Sequence, residues 1–454
     1  MPECISATGS DPLSLIAAAD EVPRKTAVIE GGRRISYAEL ARAVSGRAAS
    51  LERPAPGRPA FLTAGSDFTG LVDLLALLEK GIPAVLFSPK LTDGEKTALR
   101  RQAEVIAEPL PEGTAFVVFT SGTTGRPKPA VLTRRSLAAG ALAAAEALRM
   151  TPDDVFQLSL SPARVGGLGI VLRTLAVRGS LSLAPRFCGA AFPETLQRDG
   201  VTLASLVPAM LADVFEKNPG WRNPAGLRAL LIGGAPMPAK LRAEAARRGV
   251  PVVTTYGMTE TGSSSGISAW EERLQPVSSG EVPLRGIRYR EKNGEILLSG
   301  PLLFNGYWGR PAVVSEGWFA TGDAGTVDAE GRVRILARQS DLIITGGEKV
   351  VPAEVESVLE SLPGIREALV LGMPDEKWGQ IVTALLVPEN GSRLSASRLE
   401  TCLSERLARW KSPRRIAWVP SIPLTPAGKR HRHPDVLCGL ETESLHYSRK
   451  HCST

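Results

Sequence analysis

The chain has 454 residues, 43% hydrophobic and 22% charged, with a formal net charge of +7 at pH 7. That length allows two or three domains around a large core, and the balance is that of a globular protein, not a disordered one. The positive excess favours anionic partners, but aromatics are only 5%, so the basic and aromatic stripe of a nucleic-acid binder is lacking and no nucleic acid is expected.

The first residues, MPECISATGSDPLSLIAAADEVPRK, lack a basic stretch followed by an apolar core, so no signal peptide is expected there. Short apolar runs then alternate with helical patterns. Ala27–Glu30 reads as a strand before a helix at Tyr37–Leu51, and Ala60–Thr63 as a strand before a helix at Phe68–Lys80, with a strand at Ala84–Phe87. The most apolar stretch, Gly70 to Phe87, is broken by Asp73, Glu79, Lys80 and Pro83. It is too short and too charged for stable membrane insertion, and a cytoplasmic location is expected. Further strands are predicted at Phe116–Phe119, Thr202–Val207, Ala229–Ile232 and Val252–Thr255. The alternation implies an α/β fold: a large N-terminal domain of βα units around mostly parallel sheets.

Beyond Arg338 the pattern changes. Val355, Val358, Leu359 and Leu362 form one apolar helix face. Strands are predicted at Ala368–Gly372 and Ile381–Val387, and a second helix through Leu399, Cys402, Leu403, Leu407 and Trp410. These elements describe a small α+β C-terminal domain. The division expected is 1–337, a junction at 338–341, and 342–454. The tail after Leu440 is polar and expected to fray.

The five cysteines are scattered without a C-x-x-C pair, so neither a zinc site nor a disulfide framework is expected. All four histidines lie at or beyond position 431. The main body therefore cannot supply a Ser-His-Asp triad or a histidine general base. Its chemistry must rest on carboxylates, cations, hydroxyls and backbone amides.

Five motifs carry that chemistry. Thr120-Ser121-Gly122-Thr123-Thr124-Gly125-Arg-Pro-Lys128 follows an apolar strand, and its glycines and hydroxyls suit a phosphate-wrapping loop. It is not a Walker A loop, because the glycine–lysine spacing differs, and taken alone it could be a flexible surface loop. Thr255-Tyr256-Gly257-Met-Thr259-Glu260 offers a ring for a planar base and a carboxylate for a phosphate-bound Mg²⁺. Asp323, with Arg338 downstream, could grip a ribose. Gly346-Gly347-Glu-Lys and Pro426-Ala-Gly-Lys429 complete the set.

In this order and spacing the motifs resemble the adenylate-forming superfamily of acyl- and aryl-CoA synthetases, adenylation domains and luciferase-type enzymes, from Ile35 to Lys429. The resemblance implies ATP, Mg²⁺ and coenzyme A as cofactors and a carboxylic acid as substrate. Thr120 to Lys128 would close over phosphates, Gly233-Gly234-Ala235 would lie beneath adenine, and Tyr256 would stack on it. Thr259 would meet the α-phosphate and Glu260 hold the metal, while Asp323 and Arg338 would take the ribose. Lys429 would serve adenylation. The Gly346-Gly347 turn would serve the thiol step after the small domain rotates.

Two departures stand out. Ser340 occupies the usual position of a hinge acid. Arg164, in Ser161-Pro-Ala-Arg-Val-Gly-Gly167, replaces a histidine or aromatic, so the acid pocket, including Gly167, should differ from the superfamily pattern. The segments Leu158–Gly169, Ala204–Pro208 and Leu230–Ala235 are most similar to the o-succinylbenzoate–CoA ligases of menaquinone biosynthesis. That acid is a dianion, and Arg164 or Arg173 could bind its second carboxylate. Alternatives are another aromatic or short-chain acid, a carrier-protein thiol as acceptor, or a non-catalytic nucleotide-binding relative. A homo-oligomer is compatible with all of these.

Overall fold

The computed structural model describes residues 11–120, 127–184, 186–223, 226–391, 393–424, 430–445 and 447. The chain divides into two compact units. One comprises Met1–Arg290, Leu297–Ala320 and Val327–Arg334, and the other Glu291–Ile296, Thr321–Thr326 and Ile335–Thr454.

In the first unit several helices begin where a side chain satisfies a free N–H group of the first turn. Ser36 caps Tyr37–Ser50 through a capping box, its hydroxyl accepting from the Glu39 amide while Glu39 accepts from the Ser36 amide. Asp67 caps Phe68–Lys80, which ends at Gly81 in the left-handed region at φ +62°. A larger residue would be strained at that stop.

Six parallel strands form the centre of the main sheet: Thr26–Glu30, Ser180–Leu183, Val155–Leu158, Leu203–Leu206, Ala229–Ile232 and Val252–Met258, in spatial order. Arg33–Ser36 flanks the first of them antiparallel, and Ser263–Ser268 and Glu281–Pro283 continue beyond the last antiparallel. A second sheet runs Ala60–Thr63, Ala84–Phe87 and Thr114–Thr120 in parallel, with Lys128–Thr133 antiparallel at its edge. Several central strands are buried along their full length. This explains why they appear in the sequence as unbroken apolar runs without alternation. The expected α/β architecture is the one observed.

Three expectations need correction. The strand predicted to end at Thr255 runs on to Met258, because its outer half pairs with Ser263–Ser268 rather than with a helix-linked neighbour. The last predicted helix spans only Ala396–Ser404. Leu407 still reaches the core through a turn, its amide bonded to the Leu403 carbonyl at 2.8 Å, but Trp410 is 46% exposed. The tail does not fray at once: Glu443–Ser444 pairs with Arg415–Trp418, and Leu445 is buried.

The second unit has its own sheet, ordered Glu348–Val350, Ile343–Thr345, Gly379–Pro388, Arg415–Trp418 and Glu443–Ser444, with Ile365–Asp375 also paired to Gly379–Pro388. Val355 and Leu359 of the helix Pro352–Ser361 pack with Leu399, Leu403 and the inner faces of those strands. The unit thus has a hydrophobic core of its own. Among the described residues, no helix is long and apolar enough to cross a membrane.

Candidate active site

In a parallel sheet the loops leaving the carboxyl ends of the strands collect on one edge, where ligands bind. Gly233 leaves Ala229–Ile232 there, beside the neighbouring strand that carries Thr255 and Tyr256. A Cβ on Gly233 would stand 2.6 Å from Thr255 Cγ2, and Gly234 sits at φ +79°. Both glycines are therefore needed for the turn to lie against the tyrosine-bearing strand, with Ala235 following it. The Tyr256 ring lies 6.1 Å from that of Tyr289, which is buried and donates to Ser265 Oγ at 2.8 Å. Gly257 marks a bulge, since a Cβ there would run into the Ser263 carbonyl.

After Met258 the chain makes one tight turn, Thr259–Thr261, closed by Gly262 at φ +64°. Thr261 Oγ1 accepts from the Met258 amide at 3.0 Å and reaches the Ser263 carbonyl at 2.8 Å, so a buried hydroxyl holds the turn. The Glu260 carbonyl accepts from the Phe304 amide at 2.8 Å. Its carboxylate accepts from the Tyr307 hydroxyl at 2.5 Å. Lys128 Nζ lies 5.4 Å from the centre of the Tyr307 ring, and Thr120 stands opposite Lys128 in the strand pair. One continuous set of contacts thus joins the foot of the glycine- and hydroxyl-rich segment to the acidic turn.

Ser121, Gly122, Thr123, Thr124 and Gly125 lie outside the described residues, as does Lys429.

Tyr307 is the participant that sequence reasoning missed. Gly306 and Gly309, both at positive φ, bracket Tyr307-Trp308. An aromatic pair between two such glycines was the available signal.

The two arginines considered for the acid behave differently. Arg164 precedes the helix Val165–Ala176 and is exposed, its Nη1 only 3.4 Å from the Phe119 carbonyl. Arg173, on the same helix, is 1% exposed. Its Nε donates to the Gly169 carbonyl at 2.7 Å and its Nη2 to Ser263 Oγ at 3.0 Å, while Nη1 has no partner. Burial pulls its pKa down to about 10, because the charged form loses hydration. A cavity of about 10 Å³ adjoins it, lined also by Leu137, Gly140, Gly169 and Thr261. That is room for about one water. Gly169 has to be glycine, since a Cβ would meet Ser263 Oγ at 2.5 Å and Arg173 Nη2 at 2.6 Å. Gly167 faces the Leu160 and Ser161 carbonyls at 2.4 and 2.3 Å from a Cβ position, a close backbone approach that seats the helix.

In the second unit Asp323 and Arg338 are brought together. Arg338 Nε lies 2.9 Å from Asp323 Oδ1, and its Nη1 donates to the Thr321 carbonyl at 2.9 Å. Asp323 is buried and Arg338 is partly open. A carboxylate held in this way presents an oriented acceptor, as two ribose hydroxyls require. Gly346 and Gly347 form an exposed turn at φ +58° and +86°. Trp378 packs over Gly346, and nothing lies within 4 Å of a Cβ on Gly347.

No cluster of three or more metal-ligating side chains occurs among the described residues. Glu260 fits Mg²⁺ of the kind that takes one or two carboxylates and fills its remaining positions with phosphate oxygens and water.

A family model described as AMP-binding enzyme matches residues 73–308, and one described as AMP-binding enzyme C-terminal domain matches residues 354–429. A feruloyl-CoA synthase from Amycolatopsis is 32% identical over 90% of this chain and 94% of its own. A 2-succinylbenzoate–CoA ligase from Bacillus cereus is 34% identical over 76% of this chain and 73% of its own. The o-succinylbenzoate CoA synthetase of Bacillus subtilis, solved with its acyl-adenylate intermediate, superposes with a TM-score of 0.82 at 30% identity, covering 92% of this chain and 96% of that one. The same synthetase with ATP and magnesium gives 0.81 at 30% identity, covering 92% and 97%. The two matched domains, the acidic turn and the shared fold lead to one conclusion: the chain belongs to the AMP-binding enzyme family and is an AMP-forming acid–CoA ligase.

Proposed function

We propose that the acid is o-succinylbenzoate, adenylated with ATP and Mg²⁺ and then transferred to coenzyme A. The observation that carries this reading is Arg173: a fully buried guanidinium whose Nη1 lacks a partner and which helps line a small cavity. A buried cation without a counter-charge is destabilising by several kcal/mol. The second carboxylate of a dicarboxylic acid would supply that charge and the missing hydrogen bond. The curated ligase and the solved synthetase that act on this acid support the same choice.

The remaining roles follow from the chemistry. The reacting carboxylate is ionised at neutral pH, so no general base is required, in keeping with the lack of histidine before position 431. What adenylation requires is positive charge around the α-phosphate as its negative charge grows. Glu260 would hold Mg²⁺, which lowers the charge on the phosphates. Tyr307 fixes the carboxylate that does this, and Lys128 adds a second cation close by. Tyr256 and the Gly233–Ala235 turn form the adenine floor, Thr259 meets the α-phosphate, and Asp323 orients the ribose. Lys429 neutralises the α-phosphate in the first half-reaction, and the Gly346-Gly347 turn serves the thiol in the second. Residues 338–341 are the hinge between these two states.

An aromatic monoacid such as ferulate is the second reading, favoured by the 32% identity to a feruloyl-CoA synthase over 90% of the chain. Pyrophosphate release with ATP, Mg²⁺, CoA and a panel of acids separates the two. The dicarboxylate reading predicts the highest kcat/KM for o-succinylbenzoate. Equal or better turnover of ferulate or benzoate would contradict it.

A further inference from the structure

The segment that follows Lys429 is anchored with unusual density on one buried acid. Glu356, 4% exposed on the helix Pro352–Ser361, accepts from the Val370 amide at 2.8 Å. Arg432 grips both of its oxygens, with Nη2 at 2.9 Å, and Arg430 Nη1 adds a further bond at 2.9 Å. The same two arginines also donate to the strand Ile365–Asp375, Arg430 to the Ala368 carbonyl at 2.8 Å and Arg432 to the Val370 carbonyl at 2.7 Å. Glu360 takes the other arm of Arg430 at 3.0 Å. On the backbone, Arg430 bridges Leu424, and the His431 amide donates to the Pro423 carbonyl at 2.9 Å.

This is more restraint than a polar surface segment needs. Two guanidiniums converging on one carboxylate repel each other unless that carboxylate is ionised and fully bonded. Glu356 is thus the carboxylate that both arginines share. It acts on the residue directly after Lys429, at the point where a long flexible lysine has to be aimed.

We infer that Glu356 is a positioning residue for adenylation: through Arg430 and Arg432 it fixes the chain that immediately follows Lys429 in the sequence. The inference rests on the role given above to Lys429. Glu356→Gln removes the charge that holds the two arginines and puts an amide N–H₂ against one of them.

The test measures the two half-reactions separately in the full chain, with Glu356→Gln, Lys429→Ala and the double variant. Adenylation, read as pyrophosphate release, should fall by about tenfold or more in Glu356→Gln, the scale of a lost charged hydrogen bond. Acyl transfer from pre-formed acyl-adenylate to CoA should stay near the parent rate. A group that acts only through Lys429 has nothing further to lose once the lysine is gone, so the double variant should adenylate no more slowly than Lys429→Ala alone. Glu360→Gln, which loses a single Arg430 contact, should show the same split at a few-fold, and it decides the matter if Glu356→Gln does not fold. Parallel loss of both half-reactions, additive loss in the double variant, or no loss at all would each overturn the inference. Normal adenylation by Lys429→Ala would instead remove the lysine assignment on which it rests.

Discussion

The two units present their functional groups in opposite ways. In the first, Glu260 is fixed by Tyr307 and by the backbone of Phe304, Thr261 closes the turn from below, and Arg173 is immobilised against Gly169 and Ser263. In the second, Gly346 and Gly347 form an exposed turn, and the density of bonding lies on Glu356, where Arg430 and Arg432 converge. A preorganised binding surface gains from rigidity because its dipoles need no reorganisation during the reaction. Groups that serve only one of two steps gain from being carried on a firm platform and presented from a turn. Under the proposed function, acid binding and metal retention fall to the first unit, while the second contributes the Asp323–Arg338 ribose grip and the choice of half-reaction.

The largest effect should come from the second unit. Lys429→Ala is expected to slow adenylation by about 10²–10³-fold, the scale for losing one preorganised charge-stabilising donor. Acyl transfer from pre-formed acyl-adenylate should be nearly normal. Single-turnover assays of each step measure this, and the reverse pattern would exchange the roles of the two turns.

In the first unit, Arg173→Leu should lower kcat/KM for o-succinylbenzoate by about 10–100-fold relative to benzoate-type monoacids, since a charge-assisted contact is lost. Arg164→Leu should discriminate less, because Arg164 is exposed and makes only a long bond to Phe119. Steady-state kinetics on paired acids decide between them. A loss centred on Arg164 would move the second carboxylate to the mouth of the site.

Gly347→Trp tests the thiol side. A Cβ there meets nothing within 4 Å, but the backbone is at φ +86°, so the local strain should be about 1–2 kcal/mol and the fold should survive. Pyrophosphate release in a single turnover should persist while thioester formation slows several-fold or more; equal loss of both would refute the assignment. The smallest effect expected is that of Tyr307→Phe. Removing one hydrogen bond to Glu260 should cost roughly threefold to tenfold in adenylation, and raising Mg²⁺ should recover part of it. A Mg²⁺ dependence identical to the parent's would separate Tyr307 from the metal site.

Much of this was legible in the sequence where local physics decides the outcome. Ala60–Thr63, Ala84–Phe87 and Ala229–Ile232 are strands with the bounds their apolar runs indicate, and Phe68–Lys80 begins at an Asp cap and ends at a glycine. The first two motifs could be read because each adjoins an apolar run, Phe116–Phe119 and Val252–Thr255. The rest depended on partners distant in the chain. That the strand after Val252 extends to Met258 is determined by its pairing with Ser263–Ser268. Tyr307 gains its role only because Glu260 lies 47 positions earlier, and Glu356 only because Arg430 and Arg432 return to it from 74 and 76 positions later. No periodicity records such meetings. Arg173 was equally opaque: beside Arg178 it could be an exposed helix arginine, and only burial against Gly169 and Ser263 distinguishes it.

The most direct test of the account is product identification by mass spectrometry after incubation with o-succinylbenzoate, ATP, Mg²⁺ and CoA. The account predicts o-succinylbenzoyl-CoA, AMP and pyrophosphate in equal amounts, with acyl-adenylate accumulating when CoA is omitted. ADP and phosphate in place of AMP and pyrophosphate, or thioester only when a monoacid replaces o-succinylbenzoate, would contradict it.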